Sequence, residues 1–223
     1  MTNVQPPDPL SDLSSSLSQA YVESRETQRQ RAIAELEQMA QRVPEQSEFT
    51  NSRRYKVRGP VLLLIALGLL AGGIHTGSIG LTVCAALMAL LFALMTWQHR
   101  NAGREAFMRL TRSQLFTDTL SAPVNLVDIV DLSVSEEGWL TVQKLILRAD
   151  ATLPTHRAVR QVFGNQALAL NKPQPHIRIN SAGLMSDGRL LSCDEAAAIL
   201  QAYCQAAHAQ QKLDALRQDA RHA

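Results

Sequence analysis

The distribution of apolar and polar positions along the chain is most uneven near its middle. Residues 59–99 contain no Asp, Glu, Lys or Arg. Two apolar stretches, 57–74 and 79–97, flank the segment GGIHTGS and would each measure roughly 27 to 29 Å as α-helices. That length matches the hydrocarbon thickness of a bilayer, and the glycines favour a turn between the stretches. The pattern predicts a two-helix transmembrane hairpin over residues 57–98, in preference to a buried helical hairpin of a soluble protein.

The glycines of this region, Gly72, Gly73, Gly77 and Gly80, raise the alternative of a phosphate-binding loop. A P-loop requires a lysine directly after its last glycine, because that lysine reaches the outer phosphates. Here Leu81 follows, and the glycine spacing does not match the dinucleotide-binding fingerprint. We therefore interpret the glycines as the bend between two helices.

Small residues recur at steps of four within both apolar stretches. Gly68 and Gly72 share one face of the first helix, and Ala85, Ala89 and Ala93 share one face of the second. Helices in lipid associate through close contact of such residues. These five positions are the predicted helix-packing residues.

Basic residues flank the hairpin on both sides, and the connecting segment has none. The positive-inside rule then predicts a multi-pass inner-membrane protein whose two termini are cytoplasmic. The same residues form a candidate site for anionic lipid headgroups, with topology alone as the open alternative. The set comprises Arg53, Arg54, Lys56, Arg58, Arg100, Arg104 and Arg109.

The region before the hairpin divides into two parts. Residues 1–18 are rich in Pro and Ser and are predicted to be disordered. Residues 19–56 are predicted to form a cytoplasmic helix and a linker, because apolar residues recur at helical spacing up to Val43 before Pro44. This helix is expected to pack on the protein's own domain, with a membrane-surface or partner-binding role as the alternative.

The region after the hairpin changes to short alternating segments. Six or seven strands separated by turns predict a small antiparallel β-sheet or barrel over residues 99–207. A helix then follows, since Ser192 and Glu195 have the spacing of a capping box and an apolar stripe begins at Ala196. Residues 208–223 are predicted to continue this helix beyond the domain.

Composition narrows the functional classes. The formal net charge of +2 argues against a nucleic-acid partner. The three cysteines lack metal-site or disulfide spacing and are expected to be free thiols. The histidines show no metal-binding spacing, and no nucleophile motif is present. We therefore expect a protein without cofactor or metal that is not an enzyme.

The order of these elements resembles bacterial inner-membrane proteins that carry a two-helix hairpin and a pleckstrin-homology-like (PH-like) domain. The similar segments are LTRSQLF (residues 110–116), VDIVDLSV (127–134) and the closing HIRINSAGLMSDG with CDEAAAILQAY. The resemblance covers roughly residues 60–207, and the segment 150–166 is longer than an ordinary hairpin. It implies an α+β membrane protein whose PH-like sheet is closed by a long C-terminal helix.

The resemblance also frames the expected function. We expect a non-catalytic adaptor or subunit of a membrane assembly, such as a secretion or conjugation machine, that contacts membrane lipids and one or more protein partners. The alternative is a membrane-anchored immunity or regulatory protein for a single toxin or transporter. Both interpretations are compatible with a homo-oligomer.

Overall fold

A computed structural model describes residues 9–138, 140–158 and 165–222 and has a mixed α+β architecture. Its helices are α1 (Pro9–Gln41), α2 (Arg54–His75), α3 (Ile79–Gln98) and α4 (Cys193–His222). Its strands are β1 (Gln46–Asn51), β2 (Ala106–Thr111), β3 (Gln114–Thr117), β4 (Val124–Asn125), β5 (Ile129–Glu137), β6 (Leu140–Leu147), β7 (Gln166–Leu170), β8 (His176–Ser181), β9 (Leu184–Ser186) and β10 (Arg189–Leu190). The α+β prediction is confirmed.

The described strands form two antiparallel sheets. One has the order β10-β9-β1-β2-β3-β4 and the other β5-β6-β8-β7. Each sheet keeps two edge strands, so neither closes, and the barrel alternative is wrong. The reason is local: a 3-10 turn at Leu126–Asp128 separates β4 from β5 and interrupts the ladder between the sheets.

The hydrophobic core lies between the sheets and α4. Ile177 and Ile179 of β8 and Leu145 of β6 are fully buried, and Leu200 and Tyr203 of α4 pack in the same cluster. Burial of such side chains contributes about 1.5 to 3 kcal/mol each. The predicted C-terminal helix therefore covers the sheets.

The start of α4 has the predicted capping box. The Glu195 backbone N–H donates to Ser192 Oγ at 3.1 Å, and the Ser192 N–H donates to Glu195 Oε2 at 2.9 Å. The hydrogen bond from Ser192 and that from Arg189 lower the pKa of the Glu195 carboxyl. Two backbone donors at the helix start are thus satisfied, which explains why the helix begins here.

The N-terminal helix is longer than predicted. It begins at Pro9 rather than near Gln19, so the prediction of disorder is wrong for 9–18, while residues 1–8 lie outside the described part of the chain. Helix α1 packs on α4. The Arg217 guanidinium forms an ion pair with the Glu37 carboxylate at 2.8 Å, and the Arg29 guanidinium donates to the Leu216 carbonyl at 3.1 Å. The expectation that this helix packs on the protein's own domain is confirmed.

This packing also corrects the account of the C-terminus. Helix α4 continues without a break through the predicted extension, residues 208–223, as far as His222. Leu213, within the extension, is only 2% exposed because α1 covers it. The two helices run antiparallel, since Arg29 of α1 contacts Leu216 near the end of α4, whereas Pro44, just after α1, accepts a hydrogen bond from Tyr203 in the first half of α4. The last turns of α4 therefore do not project alone.

The apolar hairpin is inserted between two paired strands. The segment before it, predicted as a linker within residues 19–56, is strand β1, which pairs with β2 directly after the hairpin. Glu48 lies opposite Arg109 and Thr50 opposite Ala106. The sheet domain therefore includes residues on both sides of the hairpin, and its predicted boundaries, 99–207, are wrong at the N-terminal end.

Candidate membrane-anchoring site

Helices α2 and α3 present an apolar surface to their surroundings. Lys56–His75 and Ile79–Gln98 are each long and apolar enough to cross a membrane, judged by length and composition. Only 17% of each apolar window is buried, whereas the core helix of a globular domain is mostly buried. Side chains such as Leu64, Leu87 and Leu90 are more than 60% exposed. A water-soluble monomer rarely exposes so continuous an apolar patch.

The two helices meet along a heptad stripe. On α2 the buried positions Gly59, Ala66 and Gly73 are spaced by one heptad each, and on α3 Ala85 and Ala89 are buried opposite them. A repeat of seven keeps small residues on one seam of two closely packed helices. Two of the predicted packing residues, Ala85 and Ala89, are therefore buried on the side of α3 that faces α2.

The other three predicted packing residues face away from the seam. Gly68 and Gly72 are exposed, and a Cβ added to either would meet nothing within 4 Å. Ala93 is exposed on α3. The four-residue spacing selected the wrong face of α2 because glycines occur on more than one face, and only the partner helix distinguishes the faces.

Gly73 permits the close approach of the helices. A Cβ at Gly73 would lie 2.9 Å from the Thr82 backbone nitrogen, whereas a Cβ at Gly72 would meet no atom within 4 Å. We expect Gly73→Ala to reduce the free energy of unfolding by about 1 to 3 kcal/mol through overpacking. The matched variant Gly72→Ala should leave it unchanged. Thermal unfolding of the detergent-solubilised protein measures both, and equal stabilities would contradict the seam.

The segment between the helices is a tight bend. The Ser78 backbone N–H donates to the Gly73 carbonyl at 3.0 Å, and Thr76 Oγ1 donates to the Gly72 carbonyl at 2.9 Å. Gly77 has φ of 66°, a left-handed conformation in which glycine avoids the steric cost of a side chain. These bonds satisfy carbonyls at the end of α2, in agreement with the interpretation of the glycines as a bend.

The predicted headgroup residues divide into two groups. Arg54 lies 3.8 Å from Glu136, and Arg109, within β2, lies 3.0 Å from Glu48. These two charges are therefore paired with carboxylates of the sheet domain. The other five, which are solvent-exposed and lie near the two ends of the hairpin, are Arg53, Lys56, Arg58, Arg100 and Arg104.

Contacts bring the two ends of the hairpin together. The Arg53 side chain packs against Gly103, where a Cβ would come within 2.8 Å of Arg53 Cγ and Nε. The Arg100 guanidinium lies 5.5 Å from the centre of the Trp97 ring, a cation–π contact at the end of α3. Basic charge from both sides of the sequence thus surrounds the base of the hairpin.

A polar cavity of about 320 Å³ lies between this base and the sheet domain. Asn51, His99 and Thr119 line it and are buried, while Glu105 and Arg157 line it and are exposed. Sequence reasoning missed this cavity because its lining comes from β1, from the residues after α3 and β3, and from the segment before β7. No single stretch of the chain carries a recognisable motif for it.

Two polar atoms at the cavity are left without a hydrogen bond. Thr117 Oγ1 and Asn165 Oδ1 are buried and pair with no described residue, although both residues line the cavity. Burial raises the pKa of the Asp118 carboxyl above its ordinary value; Arg109 and Arg157 oppose this rise, and Glu105 adds to it. The cavity therefore has hydrogen-bonding capacity that the described protein atoms do not use.

The three cysteines form no disulfide in the described chain. Cys84 is exposed on α3, Cys193 is half-buried and Cys204 is buried, and all three are free, as predicted. Burial raises the pKa of the Cys204 thiol to about 11, so it stays protonated and unreactive at neutral pH. Within the described ranges, no group of three or more His, Cys, Asp or Glu residues is arranged to hold a metal ion.

Comparison of the chain with protein-family models, with curated proteins and with solved structures finds no match.

Proposed function

We propose that this protein is an integral membrane protein whose hairpin crosses the bilayer twice and holds the α+β domain against one membrane surface. The observation that carries the proposal is the exposed apolar surface of two helices inserted between paired strands. In lipid this surface is solvated, and each helix satisfies its own backbone hydrogen bonds. In water the same surface would drive aggregation.

The pairing of β1 with β2 supports a single location for both ends of the hairpin. Because Thr50 lies opposite Ala106, the chain enters α2 and leaves α3 on the same side of the membrane. The exposed basic residues at the base then favour the cytoplasmic face of the inner membrane. Since α1 and α4 pack on the same domain, both described chain ends belong on that face.

The domain serves as a non-catalytic interaction platform of the PH-like kind. Strand β5 forms an edge of the four-stranded sheet, and its Val130 side chain is 61% exposed. A groove of about 320 Å³ runs between β5 and α4, lined by residues such as Leu132, Ala197 and Gln201. An extended segment of a partner protein can add to such an edge and place apolar side chains in the groove. The protein would act as an adaptor in a membrane assembly.

The orientation is tested with single cysteines in a chain whose native cysteines are replaced by serine. Ser78→Cys lies in the bend and Gln211→Cys lies on the exposed side of α4. A membrane-impermeant maleimide should label Ser78→Cys in cells whose outer membrane has been made permeable. Labelling of Gln211→Cys should require disruption of the inner membrane as well. Labelling of both cysteines from the same side would refute a hairpin that crosses the bilayer.

The platform role is tested by affinity purification of the full chain from gently solubilised membranes. Several membrane subunits that co-purify would indicate an assembly, and one stoichiometric partner would indicate the immunity or regulatory alternative. We expect Val130→Lys to reduce partner recovery at least tenfold, because a charge blocks edge pairing and apolar docking. The control Leu190→Lys, at the β10 edge of the other sheet, should retain recovery. Undiminished recovery with Val130→Lys would exclude the β5 edge.

A further inference from the structure

The polar cavity between the end of α3 and the sheet domain has a chemical composition that anchoring does not require. Anchoring requires apolar helices and exposed positive charge, whereas the described lining of this cavity consists mainly of amides, hydroxyls and carboxylates, with the His99 imidazole, the Arg157 guanidinium and a few apolar side chains. Its buried lining includes Asn51, whose Oδ1 accepts hydrogen bonds from the Ser52 and Ala182 N–H groups. Thr119 Oγ1 accepts from the Ala167 N–H at 2.8 Å. The floor of the cavity is therefore held in place by hydrogen bonds to the sheets.

The unused groups of the cavity are mainly acceptors. Asn165 Oδ1 can only accept, and Thr117 Oγ1 can accept as well as donate; neither pairs within the described chain. The carboxylates of Asp118 and Glu105 line the same space, and repulsion from Glu105 adds to the rise in the pKa of Asp118 that burial causes. A bound cation with several N–H donors would satisfy the acceptors and relieve this repulsion.

Among the described lining residues, Arg157 carries a guanidinium that can complement a second charge. Arg157 lines the cavity together with the carboxyl-bearing residues, and its backbone N–H donates to the Thr119 carbonyl at 2.8 Å. A guanidinium recognises phosphate through paired N–H donors. A ligand that carries both an ammonium and a phosphate would thus find partners for both charges.

We propose that this cavity binds the primary ammonium group of a small zwitterion of the phosphoethanolamine type, with Asp118, Thr117 and Asn165 accepting its N–H groups and Arg157 contacting its phosphate. A primary ammonium has three N–H donors, which matches three accepting side chains. A quaternary choline ammonium has none and leaves the Asn165 and Thr117 acceptors unsatisfied. The cavity is thereby selective for the amine and not merely for the charge.

The position of the cavity indicates the source of the ligand. Gln98 and His99, at the end of α3, belong to its lining. Under the proposed function, on which this step rests, the end of α3 lies at the level of the lipid headgroups. The ethanolamine head of an aminophospholipid therefore has direct access, and free phosphoethanolamine has the same chemistry in solution.

The experiment measures binding to the full chain in detergent micelles by isothermal titration. The probes are dihexanoyl phosphatidylethanolamine, dihexanoyl phosphatidylcholine and free O-phosphoethanolamine. We expect the ethanolamine lipid to bind at least tenfold more tightly than the choline lipid. Asp118→Asn and the isosteric Thr117→Val should each remove most of that difference, whereas Asp131→Asn, on β5 outside the cavity, should retain it. Melting temperatures of all variants confirm folding.

Each outcome has a defined meaning. Tight binding of both ethanolamine probes supports the site, and tight binding of free phosphoethanolamine alone supports the site with a ligand from solution. Equal binding of the two lipids together with no binding of phosphoethanolamine overturns the proposal. So does selectivity that survives both cavity substitutions. The phosphoethanolamine titration needs no bilayer, so a failure of the anchoring proposal and a failure of this site are distinguishable.

Discussion

Replacing Leu64 and Leu87 together by arginine is expected to abolish stable association of the protein with membranes. Both side chains are strongly exposed, at 70% and 63%, near the middle of α2 and α3. An arginine at the centre of a membrane helix costs about 2.5 to 3.5 kcal/mol on insertion scales, so two cost roughly 5 to 7 kcal/mol. Membrane fractionation, followed by extraction with carbonate and then with detergent, measures the loss.

The matched control distinguishes lipid from water as the surroundings of these leucines. Met39 and Val130 are similarly exposed, at 50% and 61%, but lie on α1 and β5. An exposed apolar residue in water can be replaced by arginine within about 0.5 kcal/mol. The double variant Met39→Arg with Val130→Arg should therefore remain in the membrane fraction. If the hairpin variant stayed there too, or if the unaltered chain dissolved without detergent, anchoring by this hairpin would be refuted.

Tyr203→Ala is expected to destabilise the α+β domain by about 3 to 5 kcal/mol. Tyr203 is 1% exposed and lies at the point where α4, β1 and the end of α1 meet. Its hydroxyl donates to the Pro44 carbonyl at 3.2 Å and pairs with Ser47 Oγ at 2.7 Å. A domain of this size is stable by about 5 to 15 kcal/mol, so the loss is a large fraction of the total.

A second substitution separates the ring from the hydroxyl. Tyr203→Phe keeps the buried ring and removes hydrogen bonds worth about 0.5 to 1.5 kcal/mol each, so its effect should be much smaller than that of Tyr203→Ala. Tyr21→Ala, at an exposed position of α1, should change the stability little. Chemical denaturation in detergent measures the three variants. Equal losses for the phenylalanine and alanine variants would show that the hydroxyl, and not burial of the ring, holds this junction.

These two predictions concern connected parts of one structure. Strand β1 is joined to α4 through Tyr203 and Ser47, and it continues through Asn51 and Ser52 into α2. Ser52 Oγ donates to the Ala182 carbonyl at 2.8 Å, which joins the entry of the hairpin to the turn after β8. Such contacts restrict how the domain can tilt relative to the hairpin. Under the proposed function, a domain held in this way would present its β5 edge and its polar cavity at a defined height above the membrane.

The structure also explains why some packing residues were misassigned. Gly68 and Gly72 satisfy the small-residue spacing as well as any pair on α2, yet Gly59, Ala66 and Gly73 form the contact. The heptad spacing of the latter set was present in the sequence. The sequence does not show which of the two spacings marks the contact, because the side of α2 that α3 covers depends on the bend and on the strands that hold both helix ends.

By itself the sequence determined the features that depend on neighbouring residues. The uncharged run 59–99, the bend, the alternation of the strands after Ala106 and the capping box of α4 all follow from local periodicity and local hydrogen bonding. Each of these elements appears in the structure. Local signals suffice there because the partners of each interaction lie within a few residues of one another.

Only the tertiary structure decided the features that join distant segments. The sequence of strand β1 resembles a polar linker, because the strands that pair with it, β2 and β9, lie far along the chain, after the hairpin. Helix α1 gains its packing surface from α4 at the other end of the chain, and the polar cavity gathers side chains from four separate segments. Such pairings depend on the closure of long loops and on burial against distant residues, and no local pattern records them.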